Sequence, residues 1–191
     1  MATNKKYVVP FRRKRTGRTD YHKRLKLLSG GEVRLVIRKS LHHMRLQLIE
    51  YKPTGDRVLV SATTQELTKK GYKGCTSNVP AAYLCGVLLA TKAKAKNIAR
   101  AVVDIGLTTP VRGSVLFAAV AGARVGGLDV PTDEKALPSK DRLTGKHIAA
   151  YAQQLKKDVE AYKNTFSAYL KKGITPEQLP AHIEEIEKKL K

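Results

Sequence analysis

Basic and aromatic side chains alternate through the first part of the sequence, and this combination is suited to binding a polyanion. Residues 1–30 contain ten Lys or Arg and a single acid, Asp20, which gives them a formal charge of +9 out of +21 for the chain. Three aromatic residues, Tyr7, Phe11 and Tyr21, lie between these charges. Cations neutralise phosphates, and aromatic rings stack on exposed bases. The pattern favours RNA binding; a solvated tail or a localisation signal is the alternative.

The N-terminal segment has no apolar face with which to fold alone. No apolar period of 2 or 3.6 residues runs through Lys5–Arg18, so these residues have no side to bury. We expect an arm that an anionic partner orders, followed by a short basic helix over Tyr21–Leu28. The candidate RNA-binding residues of the arm and this helix are Lys5, Lys6, Tyr7, Phe11, Arg12, Arg13, Lys14, Arg15, Arg18, Tyr21, Lys23 and Arg24.

Two later segments carry further donor groups. Arg38, Lys39 and Ser40, followed by two histidines, lie at the tip of the first predicted hairpin and suit phosphate contact; no Cys or carboxylate stands near enough to suggest a metal. Arg112 and Ser114 lie between a predicted strand and a helix start, where an anion is favoured. That second loop lacks the Walker A pattern, and a capped crossover loop without a ligand explains it equally well.

Only one acid suggests catalysis. Asp104 lies on an apolar predicted strand, but a metal-dependent nuclease needs several converging carboxylates. The remaining acids fall mostly at turns or in the C-terminal helices, and no GxSxG motif is present. We therefore interpret Asp104 as a structural hydrogen-bonding residue. The sequence predicts no enzyme, no metal site, no cofactor and no small-molecule substrate.

Composition limits the class of protein. A chain of 191 residues with 42% hydrophobic residues is long enough for one buried core plus extensions. The excess of 37 basic over 16 acidic residues favours nucleic acid as the partner first and an anionic membrane surface second.

The apolar run Ala81–Ala90 is about half of a membrane span, and Met1–Arg18 lacks a signal-peptide h-region. A cytoplasmic protein is expected, with Cys75 and Cys85 as reduced thiols and Cys85 inside a buried helix.

The predicted elements must position these residues. Strands over Val33–Lys39, Leu46–Tyr51 and Arg57–Ala62 form an antiparallel meander with a tight turn at residues 52–56. Helices follow over Gln65–Lys70 and Pro80–Lys96, then a buried strand over 101–107 and a helix over Val115–Val125. This order predicts an α/β core with a mixed sheet and helices on its faces.

The C-terminal part is predicted to be helical from Pro138. Apolar residues recur at intervals of three or four from Ile148 to Leu170, and Gly173 ends the pattern. Residues 175–178 match a capping box with Pro176 at the first helical position, and Leu179–Leu190 forms the last helix. We divide the chain into residues 1–28 (arm and short helix), 29–155 (α/β core) and 156–191 (helical extension), within a single-domain protein.

Several blocks, in order, resemble the ribosomal protein L-eighteen family in its archaeal form. They are Tyr7–Arg13, Thr19–Tyr21, Lys23–Leu28, Arg34–Ser40, Asn78–Leu84, Asp104–Leu107 and Arg112–Ser114, within a match from about Lys6 to Tyr151. Where the family has Asn after Lys-Ser, this chain has Leu41-His42-His43.

The resemblance implies a fold and a set of partners. The fold would be a three-layer α/β/α core, related to the ribonuclease-H-like sandwich but without nuclease activity. The partners would be 5S ribosomal RNA, 23S ribosomal RNA and neighbouring large-subunit proteins in the central protuberance. RNA contacts would carry over to the arm, to Arg38, Lys39 and Ser40, and to Arg112 and Ser114. The rival hypotheses are a nuclease using Asp104 and a general basic nucleic-acid-binding or membrane-binding protein.

Overall fold

The computed structural model describes residues 8–191, so the candidate residues Lys5, Lys6 and Tyr7 lie outside the described part. The strands are β1 (Arg34–Lys39), β2 (Met44–Glu50), β3 (Arg57–Thr63) and β4 (Val102–Asp104). The helices are α1 (Arg12–Arg15), α2 (Tyr21–Ser29), α3 (Thr64–Lys69), α4 (Val79–Lys94), α5 (Val115–Val125), α6 (Lys140–Leu143), α7 (Lys146–Leu155), α8 (Val159–Lys171) and α9 (Leu179–Leu190). Single 3-10 turns lie at Glu134–Ala136 and Pro176–Gln178.

The four strands form one mixed sheet in the order β3-β2-β1-β4. β1–β2 and β2–β3 pair antiparallel, which confirms the predicted meander, and β4 pairs parallel with β1. The prediction of a buried strand over 101–107 was wrong in length and burial, because β4 has three half-buried residues at the sheet edge. The chain leaves the extended conformation at Gly106, whose φ is 61°, and its N–H bonds the Asp104 side chain at 3.0 Å.

The core lies between one face of the sheet and the pair α4–α5. The side chain of Asn78 caps α4 by accepting the N–H of Ala81 at 3.1 Å, and α4 is buried continuously from Val79 to Ala90. Helix α5 packs against it so closely that a Cβ built on Gly86 or Gly122 would collide with the backbone of the other helix. Both predicted helices are confirmed within two residues at each end.

The two faces of the sheet have different environments. Alternate strand residues point to opposite faces; Leu35 and Ile37 of β1 belong to the core cluster beneath α4 and α5. Arg34 and Val36 are also buried, yet neither belongs to that cluster. They point to the opposite face, which we call the outer face.

The C-terminal helices differ from the prediction in two respects. The run up to Gly173 is divided, because Asp158 starts α8 by accepting the N–H of Ala161 at 3.1 Å. The capping box at Thr175 was wrong: Thr175 makes no side-chain cap bond, and a 3-10 turn three residues long follows it. Helix α9 has the predicted bounds. Four of its apolar side chains join the core cluster: Leu179, Ile183, Ile186 and Leu190.

The N-terminal arm has more local structure than its sequence predicts. Residues 12–15 form the single helical turn α1, in which the N–H of Arg15 bonds the carbonyl of Phe11 at 3.1 Å. One turn needs only backbone hydrogen bonds, so it requires no apolar face. None of its residues is buried, which agrees with the predicted lack of an apolar face.

Candidate nucleic-acid interface

The outer face of the sheet is the floor of a cleft of about 1150 Å³. Its walls come from residues 13–27 on one side and residues 105–110 on the other. We call it the basic cleft, because eight of its lining residues are cationic and three are acidic: Arg13, Arg18, Lys23, Arg24, Lys26, Arg34, Arg38 and Lys39, with Asp20, Asp56 and Asp104. Converging cations over a wide groove attract phosphates.

The structure brings many of the predicted RNA-binding residues into this one cleft. Residues from the arm, α2 and β1 share its lining: Arg13, Arg18, Tyr21, Lys23, Arg24, Arg38 and Lys39. The remaining basic residues of α1, Arg12, Lys14 and Arg15, are exposed outside the lining. Phe11 is 71% exposed, and its ring centroid lies 5.2 Å from that of Tyr21. Of these two rings, that of Tyr21 lines the cleft, and both are of the type that stacks on bases.

The arm and α2 are connected by local hydrogen bonds. Nε of Arg13 donates to Oγ1 of Thr19 at 2.8 Å. Asp20 then caps α2 by accepting the N–H groups of His22 and Lys23 at 3.0 and 3.2 Å. The hydrogen bond from Lys23 is the largest cause of a lowered pKa of the Asp20 carboxyl. The single acid of the arm is thus the cap of the basic helix.

A buried arginine joins three parts of the cleft. Arg34 is 2% exposed; its Nη2 bonds Oδ2 of Asp56 at 2.9 Å, and its Nη1 bonds Oδ2 of Asp104 at 2.8 Å. Oδ1 of Asp56 accepts Nη2 of Arg24 at 2.8 Å. Burial alone raises the pKa of Asp56, but the hydrogen bonds and charges of Arg24 and Arg34 outweigh it, so its pKa lies below the usual value.

This network defines the roles of two residues from the sequence analysis. Asp104 is a structural hydrogen-bonding residue, as predicted, since it binds Arg34 and the N–H of Gly106. Arg24, predicted to bind RNA, has a guanidinium nitrogen bonded to Asp56. Sequence reasoning missed Arg34, because its partners stand 22 and 70 positions away.

The hairpin tip has the predicted position. Residues 40–43 connect β1 to β2, and the N–H and hydroxyl of Ser40 both donate to the carbonyl of His43 at 2.8 Å. In the strand register Arg38 of β1 lies opposite Arg45 of β2, and Arg45 lies opposite Thr63 of β3. These residues therefore form a row across three strands. A small pocket of about 290 Å³ opens beside this row. Arg45 was not among the predicted RNA-binding residues, because only the cross-strand register places it beside Arg38.

The loop with Arg112 and Ser114 lies apart from the lining of the basic cleft, although Thr108 and Pro110 belong to it. Ser114 precedes α5, but its hydroxyl makes no cap bond. That hydroxyl is buried without a hydrogen-bond partner among residues 8–191. The predicted anion contact at this loop therefore stays a prediction.

The described chain shows neither a metal cluster nor a membrane span. Within residues 8–191, no group of three or more His, Cys, Asp or Glu is placed to hold a metal ion. No helix in the same range is long and apolar enough to cross a bilayer. Cys75 is exposed, and Cys85 is buried in α4, as predicted.

Comparison with known proteins gives two findings. Residues 5–98 match the family described as "Ribosomal large subunit proteins 60S L5, and 50S L18". Large ribosomal subunit protein uL18 of Methanococcus maripaludis is 49% identical over 190 residues, which cover 100% of this chain and 98% of that relative. The family match extends from the arm through α4 and therefore includes one wall and most of the floor of the basic cleft.

Proposed function

Because the chain belongs to the uL18 family of large-subunit ribosomal proteins, we propose that it binds 5S ribosomal RNA and attaches it to the large subunit. Membership of the family makes the protein a ribosomal constituent with ribosomal RNA as its partner. The 5S RNA and a place in the central protuberance are the finer proposal. The observation that supports it is the basic cleft, where cations from the arm, α2 and β1 converge.

The cleft and the arm would bind RNA in different ways. The floor belongs to the sheet, and the Arg24–Asp56 ion pair connects α2 to it. Floor and helix together present Lys23, Arg38 and Lys39 to phosphates. The exposed arm cations Arg12, Lys14 and Arg15 would follow the RNA backbone, and Phe11 and Tyr21 would stack on unpaired bases. The core thus sets the register of the RNA, and the arm adds contacts along it. Arg112, Ser114 and Ser40 are proposed as peripheral contacts.

Attachment to the subunit requires surfaces beyond the cleft. We propose that 23S RNA and neighbouring large-subunit proteins contact the protein outside the basic cleft, within cytoplasmic ribosomes. We also propose a three-layer, ribonuclease-H-like core. The strand order β3-β2-β1-β4, with β4 parallel to β1, supports that relationship, as do α4 and α5 on one face and α2 beside the other.

A nuclease is a poorer explanation of the same cleft. Metal-dependent phosphodiester cleavage needs several carboxylates that are free to hold cations. Asp56 and Asp104 both lie in the cleft, but each is bonded to the guanidinium of Arg34. The two carboxylates therefore have a cation supplied by the protein itself.

A binding competition tests the proposed function. At fixed salt, labelled 5S RNA is bound to the protein and challenged with an unrelated folded RNA or duplex DNA. We expect 5S RNA to be preferred by about 10³-fold or more. Equal displacement by the unrelated RNA would contradict the proposal and favour a general basic nucleic-acid-binding protein.

A matched pair of variants connects that binding to the cleft. Lys23→Met removes an exposed cation of the cleft, and Lys188→Met removes an exposed cation of α9. Lys23→Met should weaken 5S binding and lower the slope of log K against log salt by roughly 0.7–0.9. Lys188→Met should change neither. The same slope in both variants would place the RNA elsewhere on the molecule.

A further inference from the structure

We propose that Arg34 is the positioning residue of the basic cleft. Its side chain holds the two walls at the separation that RNA requires, and it does not itself contact RNA. The inference rests on the proposed function for the identity of the ligand. Its structural part concerns the free protein and can be tested without RNA. Three connections start from the guanidinium of Arg34.

The first connection fixes the floor. Arg34 lies on β1 with its side chain on the outer face, where only 2% of it is exposed. Its two terminal nitrogens bond different carboxylates, Asp56 at 2.9 Å and Asp104 at 2.8 Å. A planar guanidinium presents its donors in a rigid fork, so the two carboxylates are held in a fixed relation to each other.

The second connection reaches the wall formed by α2. Asp56 belongs to the turn between β2 and β3, and its other oxygen accepts a hydrogen bond from Arg24 of α2 at 2.8 Å. Helix α2 contains no buried residue, so apolar packing holds it only weakly to the sheet. The ionic link from Arg34 through Asp56 to Arg24 therefore has a large share in placing α2 and its cleft residue Lys23.

The third connection reaches the opposite wall. Asp104 ends β4, and its second oxygen accepts the N–H of Gly106 at 3.0 Å. Gly106 has a φ of 61°, at which the chain turns into the cleft-lining segment of residues 105–110. Breaking the Arg34–Asp104 pair would free this turn. One buried side chain thus determines the separation of both walls.

The charges of this network allow a positioning role to be distinguished from simple electrostatics, because the two predict opposite changes in RNA affinity. Two arginines, Arg24 and Arg34, face two aspartates, Asp56 and Asp104, so the four side chains together carry no net charge. Asp56→Asn removes a negative charge from a cleft proposed to bind a polyanion. Electrostatics alone would make the variant bind RNA more tightly. A positioning role makes it bind more weakly, because the link to α2 is lost.

The experiment compares full-length Asp56→Asn with the wild type and with Asp129→Asn. Asp129 is 71% exposed beside Arg100 and lies outside the cleft lining, so Asp129→Asn is a control for charge. We expect Asp56→Asn to bind 5S RNA about tenfold more weakly, which corresponds to about 1.4 kcal/mol. Its salt slope should fall toward that of Lys23→Met, by at most roughly 0.7–0.9, because α2 no longer holds Lys23 against a phosphate. Equal or tighter binding by Asp56→Asn would overturn the proposal.

Hydrogen exchange in the free protein supplies a readout that does not depend on RNA. In Asp56→Asn the amides of α2 should exchange faster, whereas the amide of Gly106 should keep its protection. Asp104→Asn should give the reverse pattern, and Arg34→Lys should lie between wild type and the Asp variants. Unchanged exchange at both walls would overturn the positioning role. If wild-type protein shows no preference for 5S RNA while the exchange pattern holds, the proposed function fails and the network stands.

Discussion

At the scale of single residues, the carboxylate of Asp56 in the basic cleft makes the stability of the fold depend on pH in the acid range. Its pKa is lowered from 3.8 by the bonds from Arg24 and Arg34, which outweigh the opposing effect of burial. A carboxyl whose folded pKa is lowered contributes stability above its unfolded pKa and loses it as the pH falls through the folded value. The contribution is therefore complete at pH 7 and is lost below about pH 4.

Asp56→Asn should accordingly destabilise the fold in a pH-dependent way. At pH 7 we expect a loss of about 1–2 kcal/mol in the free energy of unfolding, because charge-assisted hydrogen bonds are weakened. The difference from wild type should shrink as the pH falls below about 4. Urea unfolding at several pH values measures this. A difference that stays constant down to pH 2 would show that Asp56 is not bonded as an anion.

The two thiols should differ in reactivity for a residue-scale reason. Burial raises the pKa of Cys85 to about 12, and the thiolate is the reactive form. Cys75 is exposed. A thiol reagent at pH 7.5 should therefore modify one thiol in the native protein and two in denaturant. Rapid modification of both native thiols would show that α4 opens readily.

Residue chemistry was predictable from sequence where it depended on residue type alone. The abundance of cations, the structural role of Asp104 and the burial of Cys85 all follow from composition and local pattern. The Arg34 network does not, because its bonds connect positions 22 and 70 residues apart. A sequence shows which groups can pair, but the sheet register decides which pairs meet.

At the scale of elements, close contact between α4 and α5 sets the packing of the core. A Cβ added at Gly122 would collide with the carbonyl of Tyr83 on α4. Gly122→Ala should force the helices apart and destabilise the protein by about 1–3 kcal/mol, the usual cost of overpacking. Gly30→Ala is the matched control, since its added Cβ would lie 3.9 Å from the nearest atom.

Thermal unfolding of both glycine variants tests this packing. A clear drop in Tm is expected for Gly122→Ala, and Gly30→Ala should remain close to wild type. Equal Tm values for the two variants would mean that the interface between the helices adjusts without cost.

Elements were predicted well where the signals for their ends are local. Asn78 caps α4 and Asp20 caps α2 through their own side chains, and the predicted bounds agree closely with the observed ones. The prediction failed where apolar spacing continued across a break, as between α7 and α8, because the cap at Asp158 interrupts a pattern that spacing alone extends. It also failed at β4, because the length of this strand is set by its pairing with β1.

At the scale of the whole molecule, the two ends of the chain have opposite roles. Residues 1–30 carry +9, whereas residues 156–191 contain eight Lys and six acids. None of residues 8–18 is buried, but Leu179 and Ile183 of α9 are completely buried in the core cluster. Residues 8–18 therefore present exposed positive charge, whereas the C-terminal helix contributes apolar surface to the core.

Deleting each end in turn should separate binding from stability. Removal of residues 1–18 should leave Tm nearly unchanged, because no buried surface from residues 8–18 is lost. It should weaken 5S binding and lower its salt slope by roughly 0.7–0.9 for each phosphate contact removed. Removal of residues 179–191 should lower Tm strongly, since burying one large apolar side chain contributes about 1.5–3 kcal/mol and four are lost. If the N-terminal deletion unfolded the protein, the arm would be part of the fold; if it bound 5S RNA with an unchanged slope, the arm would make no phosphate contact.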